Sequence, residues 1–161
     1  MLHTLTTSLR TGLLTGFCLL FCFGGFAQTL QADTDWLKTQ LNTLADVDEY
    51  RPQFDFKPCQ MTMNLDTKEE GVRVKMDMSW PLKEIRNVRY EPSGNGKYTL
   101  LMDIPANKVK GKMKIGIFSK SLRQKGDNSQ SSFALNTTDE TLVQEMQRRF
   151  ETVIKQCQQQ P

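Results

Sequence analysis

From Val72 to Trp80 every second residue is apolar (Val72, Val74, Met76, Met78, Trp80), with Arg73, Lys75, Asp77 and Ser79 between them. A period of two is the pleat of a β-strand with one face buried and the other in water. Such a strand is not stable alone; it needs paired neighbours and a second layer over its apolar side. Cys59, Met61, Met63 and Leu65 repeat the alternation upstream of a turn cluster, Asp66-Thr67-Lys68-Glu69-Glu70-Gly71. Pairing Asp66 with Gly71 sets Met61 opposite Met76 and Cys59 opposite Met78, so the predicted hairpin carries all its apolar residues on one face.

The two ends of the chain supply helices to cover that face. Asp33-Thr34-Asp35 is a candidate N-cap ahead of Leu37, Leu41 and Leu44 at helical spacing, and Tyr50-Arg51-Pro52 is the stop. Leu142, Val143, Met146, Phe150, Val153, Ile154 and Cys157 form a longer stripe behind a capping box of Thr137 and Glu140. Phe54 and Phe56 alternate in one phase and Cys59 onward in another, so Pro58 marks a bulge or an edge. Pro81-Leu82-Lys83-Glu84-Ile85 reads as a short turn, and Val88 and Tyr90 lead into Ser93-Gly94-Asn95-Gly96, where Asn-Gly accepts the positive φ of a hairpin. Further strands are expected over Tyr98–Ile104, 112–118 and 132–136, with a polar loop over 119–131. The fold class is therefore α+β: a bent antiparallel sheet or barrel of six or seven strands, with an N-terminal helix and a capping C-terminal amphipathic helix. No repeat or linker divides residues 28–161, which read as one domain.

Two passages carry a resemblance. Trp80-Pro81-Leu82-Lys83-Glu84-Ile85-Arg86-Asn87-Val88 is an early strand-turn-strand passage, and Ser132-Phe133-Ala134-Leu135-Asn136 runs directly into the helix over 138–157. With the element order from Phe54 on, this resembles a pleckstrin-homology-like barrel, two bent antiparallel sheets capped by one C-terminal helix. The resemblance implies a module that binds head groups, peptides or partner proteins, or acts as a scaffold, rather than a catalyst.

The segment over 1–27 bears on compartment. Arg10 precedes an apolar run from Leu13 to Phe26 that closes on small residues at Gly24, Gly25 and Ala27. This is the pattern of a secretory signal peptide cleaved before Gln28. The run is shorter than the roughly 18 apolar residues of a spanning helix, and an uncleaved anchor is the alternative. Phe17 and Phe21, where lipidation would want small residues, precede Cys18 and Cys22. The expectation is export to a periplasm or to the outside, with no stable membrane insertion after cleavage. Cleavage also removes His3, the only histidine, and takes Arg10 from the 21 basic side chains while leaving all 18 acids. The remaining charge is nearly balanced and by its total points to no partner. A chain the length of 28–161 can bury about two thirds of its unfolded surface. Cys59 and Cys157 remain, and an oxidising compartment favours a disulfide between them; two packed thiols are the alternative.

Without histidine, Ser-His and Cys-His catalysis and histidine metal ligation are absent, and no cofactor is indicated. The strongest charge feature is Lys108, Lys110, Lys112, Lys114, Lys120, Arg123 and Lys125 in a stretch from Ile104 to Gly126 that has no acid. The first four alternate, so on a strand they share one face opposite Val109, Met113, Ile115 and Ile117. They make either a strip for an anionic lipid, a glycan or an acidic partner, or a lysine-studded edge strand that resists aggregation. No aromatic residue interleaves the four as a stacking platform would, so nucleic acid is not expected. Six acids between Asp33 and Asp55, against Lys38 and Arg51, make self-association of unlike patches a further reading.

Met61, Met63, Met76 and Met78 beside Cys59 offer soft sulfur for Cu(I), but they alternate in step with Leu65, Val72 and Val74 as core residues do. Asp46-Val47-Asp48-Glu49 fails as a calcium loop, because positions 51 and 57 hold Arg and Lys. Asn136-Thr137-Thr138 is a glycosylation sequon that also leads into the C-terminal helix. The serines over 119–132 lack a Ser-x-x-Lys pattern. Acids such as Asp77, Glu69 and Glu70 keep a carboxylate-dependent hydrolase as an alternative. The expectation is an exported, non-enzymatic binding or interaction module of the cell envelope or extracellular space, with an anion-binding protein using the Lys108 to Lys125 strip and the carboxylate-dependent hydrolase as the alternatives.

Overall fold

The computed structural model describes residues 29–45, 51–69, 71–122 and 129–160. The leader over 1–27, the acidic cluster over 46–49, Tyr50, Arg123 and Lys125 lie outside the described residues. The chain divides after Ala32 into two units, the second being Asp33–Pro161.

The first helix, α1, is described over residues 29–44. It is already helical before Asp33-Thr34-Asp35, which is therefore not its N-cap; the Asp33 carboxylate instead accepts from Arg149 Nη1 at 2.7 Å. Eight strands follow, β1 (Gln53–Lys57), β2 (Gln60–Glu69), β3 (Val72–Pro81), β4 (Asn87–Pro92), β5 (Tyr98–Ile104), β6 (Lys110–Ile115), β7 (Phe118–Leu122) and β8 (Ser129–Leu135), and then helix α2 (Glu140–Gln158). They form a five-stranded sheet in the order β1-β2-β3-β6-β7 and a three-stranded sheet in the order β4-β5-β8, both antiparallel. The α+β class holds; the sheets do not close into a barrel.

Three local expectations change, each for a backbone reason. Pro58-Cys59 is a two-residue turn between Lys57 and its partner Gln60, at the end of edge strand β1; the edge expected there is present and the bulge is not. Pro58 presets the first turn position and Cys59 takes φ +54 at the second, the pattern of a type II turn with cysteine where glycine is usual. The β2–β3 hairpin is tighter than expected, with Asp66 opposite Lys75, Met63 opposite Met78 and Met61 opposite Trp80. That register differs from the expected one by an even number of residues, so the same side chains still share a face. The single strand expected over 112–118 is two strands, because Gly116 (φ +55) and Ile117 turn the chain back and Ser119-Lys120-Ser121 pairs as β7 instead of looping.

The hairpin between β4 and β5 forms as expected, with Asn95 at φ +64 and Gly96 at φ +72. The two inner sheet faces meet around Phe133, whose ring lies edge-on 5.5 Å from Phe54 and 5.4 Å from Trp80. Trp80 Nε1 donates to Ser131 Oγ at 2.7 Å, a buried hydrogen bond between the sheets. Helix α2 buries Val143, Met146, Phe150, Val153, Ile154 and Cys157. Its cap is Asp139, whose carboxylate accepts from Leu142 N at 3.1 Å; Thr137, the expected cap, accepts from Asp139 N.

The disulfide between Cys59 and Cys157 is present, with Cα atoms 5.3 Å apart. It ties the β1–β2 turn to the last turn of α2. Edge strand β1 is closed by α1: Asn42 accepts from Phe54 N and donates to Phe54 O, so one side-chain amide stands in for a neighbouring strand.

Candidate interaction surface

The five-stranded sheet has two faces of different chemistry. One carries Gln60, Thr62, Asn64, Asp66 and Lys68 from β2, Arg73, Lys75, Asp77 and Ser79 from β3, Lys110, Lys112 and Lys114 from β6, and Ser119 and Ser121 from β7. It is a wide polar surface because the period-two pattern runs unbroken across four strands.

The predicted lysine strip is divided by this topology. Lys110, Lys112 and Lys114 stand together on β6, exposed and roughly 7 Å apart along the strand. Lys108 is not on the strand; it lies in the 3-10 turn Ala106–Lys108 and pairs with Glu84 Oε1 at 3.1 Å. Lys120 is opposite Met113, which puts it on the other face of the sheet. Arg123 and Lys125 are outside the described residues.

β6 is also not an edge, since it lies between β3 and β7. Its lysines therefore do not serve the edge-protecting role that exposed lysines often have. Across from Lys112 are Asp77 and Ser121, and across from Lys114 are Lys75 and Ser119. Asp77 accepts from Asn64 Nδ2 at 2.5 Å. Asp66 is taken by Arg73 (2.7 Å) and Lys75 (2.9 Å), and these hydrogen bonds hold its carboxyl well below the usual carboxylate range. Among the described residues, Lys110, Lys112, Lys114 and Lys120 form no ion pair, so their charge is turned outward.

The opposite face grades from core to surface. Met61 and Trp80 face each other fully inside, and the next rows run Met63 and Met78, then Leu65, Met76, Met113 and Lys120. The last row is Thr67, Val74, Ile115 and Phe118, and here the cover ends. Phe118 is 75% exposed and Ile117, in the turn itself, 89%; Val72 and Ile115 are each nearly half exposed. The alternation placed Val72 and Val74 on a buried face and Ile115 on the face opposite the lysines. Ile117 carried the signal that was missed, because a β-branched residue beside glycine in a two-residue turn serves no turn chemistry.

The acidic N-terminal stretch is partly absorbed inside the domain. Lys38 pairs with Asp55 at 2.7 Å, and that hydrogen bond lowers the Asp55 carboxyl and raises the Lys38 amine. Asp33, Arg149 and Glu145 form a chain of ion pairs between α1 and α2 with Trp36 under the Arg149 guanidinium at 4.6 Å. Hydrogen bonds from Arg148 and Arg149 lower Glu145 to about 2. Asp103 is shared by Arg89 (2.8 Å), Asn87 and Gln130.

The sulfur of Cys59 is in the disulfide, and Met61 and Met63 are buried, which breaks up the soft-ligand set considered for copper. Among the described residues no group of three His, Cys, Asp or Glu side chains is placed to hold a metal, and no helix is long and apolar enough to cross a membrane. No protein-family model, curated protein or solved structure matches the chain.

Proposed function

We propose that the protein is an exported, non-enzymatic binding module, and that its ligand is anionic and met by the lysines of β6. The observation that carries this is the placing of Lys110, Lys112 and Lys114 side by side on an interior strand, exposed and without ion pairs among the described residues. Lysines that neither close an edge nor neutralise an acid are available to a partner. The disulfide agrees with an oxidising compartment, and the leader-like segment over 1–27 agrees with export.

The architecture adds modest support. Two antiparallel sheets with a C-terminal helix are what the pleckstrin-homology-like resemblance implies, and a module of that kind binds rather than catalyses. For a carboxylate-dependent hydrolase one acid should be raised while its neighbour stays ionised. Asp55, Asp66 and Glu145 are each held low by cationic neighbours, so these three serve ion pairs and not as general acids.

The test is charge reversal. Lys110→Glu, Lys112→Glu and Lys114→Glu together are expected to abolish retention on dextran sulfate and on anionic vesicles while leaving the fold intact by circular dichroism. Retention equal to that of the unaltered protein on both supports overturns the proposal.

A further inference from the structure

The exposed apolar end of the sheet and the lysines meet at one place, the β6–β7 hairpin. Ile117 projects at its turn, Phe118 and Ile115 stand in the last cross-strand row, and Val74 continues that row on β3. Immediately behind this apolar tip Lys114 stands on one face of the sheet and Lys120 on the other, with Lys112 one step further back. Greasy residues at a tip and cations on both sides behind it match a lipid surface in layers, acyl chains first and phosphates next. A glycan would satisfy the lysines but leave Ile117 and Phe118 unburied, whereas a lipid surface takes up both. Solvent-exposed Ile and Phe adjoining in a turn are the kind of apolar patch that marks an interaction site.

We infer that the β6–β7 hairpin docks upright on an anionic lipid surface, with Ile117 and Phe118 entering the headgroup boundary and Lys112, Lys114 and Lys120 meeting lipid phosphates. This inference rests on the anion-binding reading above and narrows its ligand to lipid. The docking is peripheral, since a two-residue tip reaches only the upper part of one leaflet. Long lysine stems can lie along the apolar tip while their amines stay at phosphate level.

The experiment is sedimentation of the exported form with vesicles of phosphatidylcholine alone and of phosphatidylcholine with phosphatidylglycerol. Retention on dextran sulfate serves as a lipid-free control. The unaltered protein is expected to partition onto the phosphatidylglycerol vesicles and not onto phosphatidylcholine alone. Replacing the tip, Ile117→Ser with Phe118→Ser, is expected to weaken that partition by about tenfold or more and to leave dextran sulfate retention unchanged. Both side chains are exposed, so the variant keeps its fold. Undiminished vesicle binding by this variant overturns the inference and leaves the lysine reading standing, provided the Lys→Glu variant still loses both supports. Retention on dextran sulfate without binding to either vesicle overturns it in favour of a glycan. A lipid-free dimer that becomes monomeric on the same tip substitution also overturns it, because the tip is then a contact between two copies.

Discussion

The two ends of one sheet face differ more than the two faces do. At the Met61–Trp80 end Trp80 packs on Phe133, Phe56 opposite Met61 meets Phe150 of α2 at 6.1 Å, a hydrogen bond from Trp80 to Ser131 joins the sheets, and a disulfide lies next to the turn. At the Val74–Ile115–Phe118 end the same alternation continues along the same strands, but Val74 is only half-buried and Ile115 and Phe118 face water. Alternation specifies a strand and its faces; it does not specify how far along the strand the second layer reaches. An uncovered length of core-like face is where a partner can supply the missing layer.

The largest effect should come from opening the sealed end. Cys59→Ala with Cys157→Ala, or reduction, releases a loop spanning 98 residues, and the expected loss is about 4 to 5 kcal/mol on the chain-entropy model. Urea unfolding with and without reductant measures it. Unchanged stability would show that packing alone holds α2 to the β1–β2 turn, and the covered end would owe nothing to its covalent link.

A direct comparison of two phenylalanines is the next test. Phe133→Ala removes the ring shared by Phe54 and Trp80 and should cost about 3 to 5 kcal/mol. Phe118→Ser should change stability by no more than about 0.5 kcal/mol, because the ring is three-quarters exposed. Equal losses for the two in thermal or urea unfolding would erase the distinction between the ends.

Acid should act on the contact between α1 and α2, by a smaller amount. Glu145 is held at about 2 by its two arginines, below the roughly 4.3 of an unfolded glutamate. Its contribution is therefore complete above about pH 4 to 5 and fades as pH falls toward 2. Thermal unfolding followed from pH 6 to pH 2 should show Glu145→Gln losing part of the acid sensitivity of the unaltered protein. An identical pH profile would mean that the Asp33–Arg149–Glu145 chain does not fasten α1 to α2.

Much of this arrangement was legible in the residues themselves. The alternation from Val72 to Trp80, the stripe ending at Cys157 and the Asn95-Gly96 turn rest on local periodicity and backbone preference, and each appears where those rules put it. The pairing of Cys59 with Cys157 needed only a count of two in an oxidising setting. What was not legible is non-local. The β4–β5 hairpin leaves the first sheet to pair with β8, so β6 becomes the neighbour of β3, and no local pattern reports which strand is central. That choice of partner turns the β6 lysines from edge guards into a surface, and sends Lys120 to the other side from Lys112. The split at Gly116-Ile117 was hidden because apolar residues flank the turn as they would a strand.

The cysteine pair also decides how the domain carries load. Everything from β2 to the last turns of α2 lies within the covalent loop, and α1 and β1 lie outside it. Tension applied to the chain on either side of the two cysteines passes through one sulfur–sulfur bond and bypasses the strands between them. A pull of that kind would peel off α1 and β1, beginning with the Asp33–Arg149 pair and reaching the Asn42 amide on Phe54 later, and would then meet a covalent stop with both sheets still largely assembled.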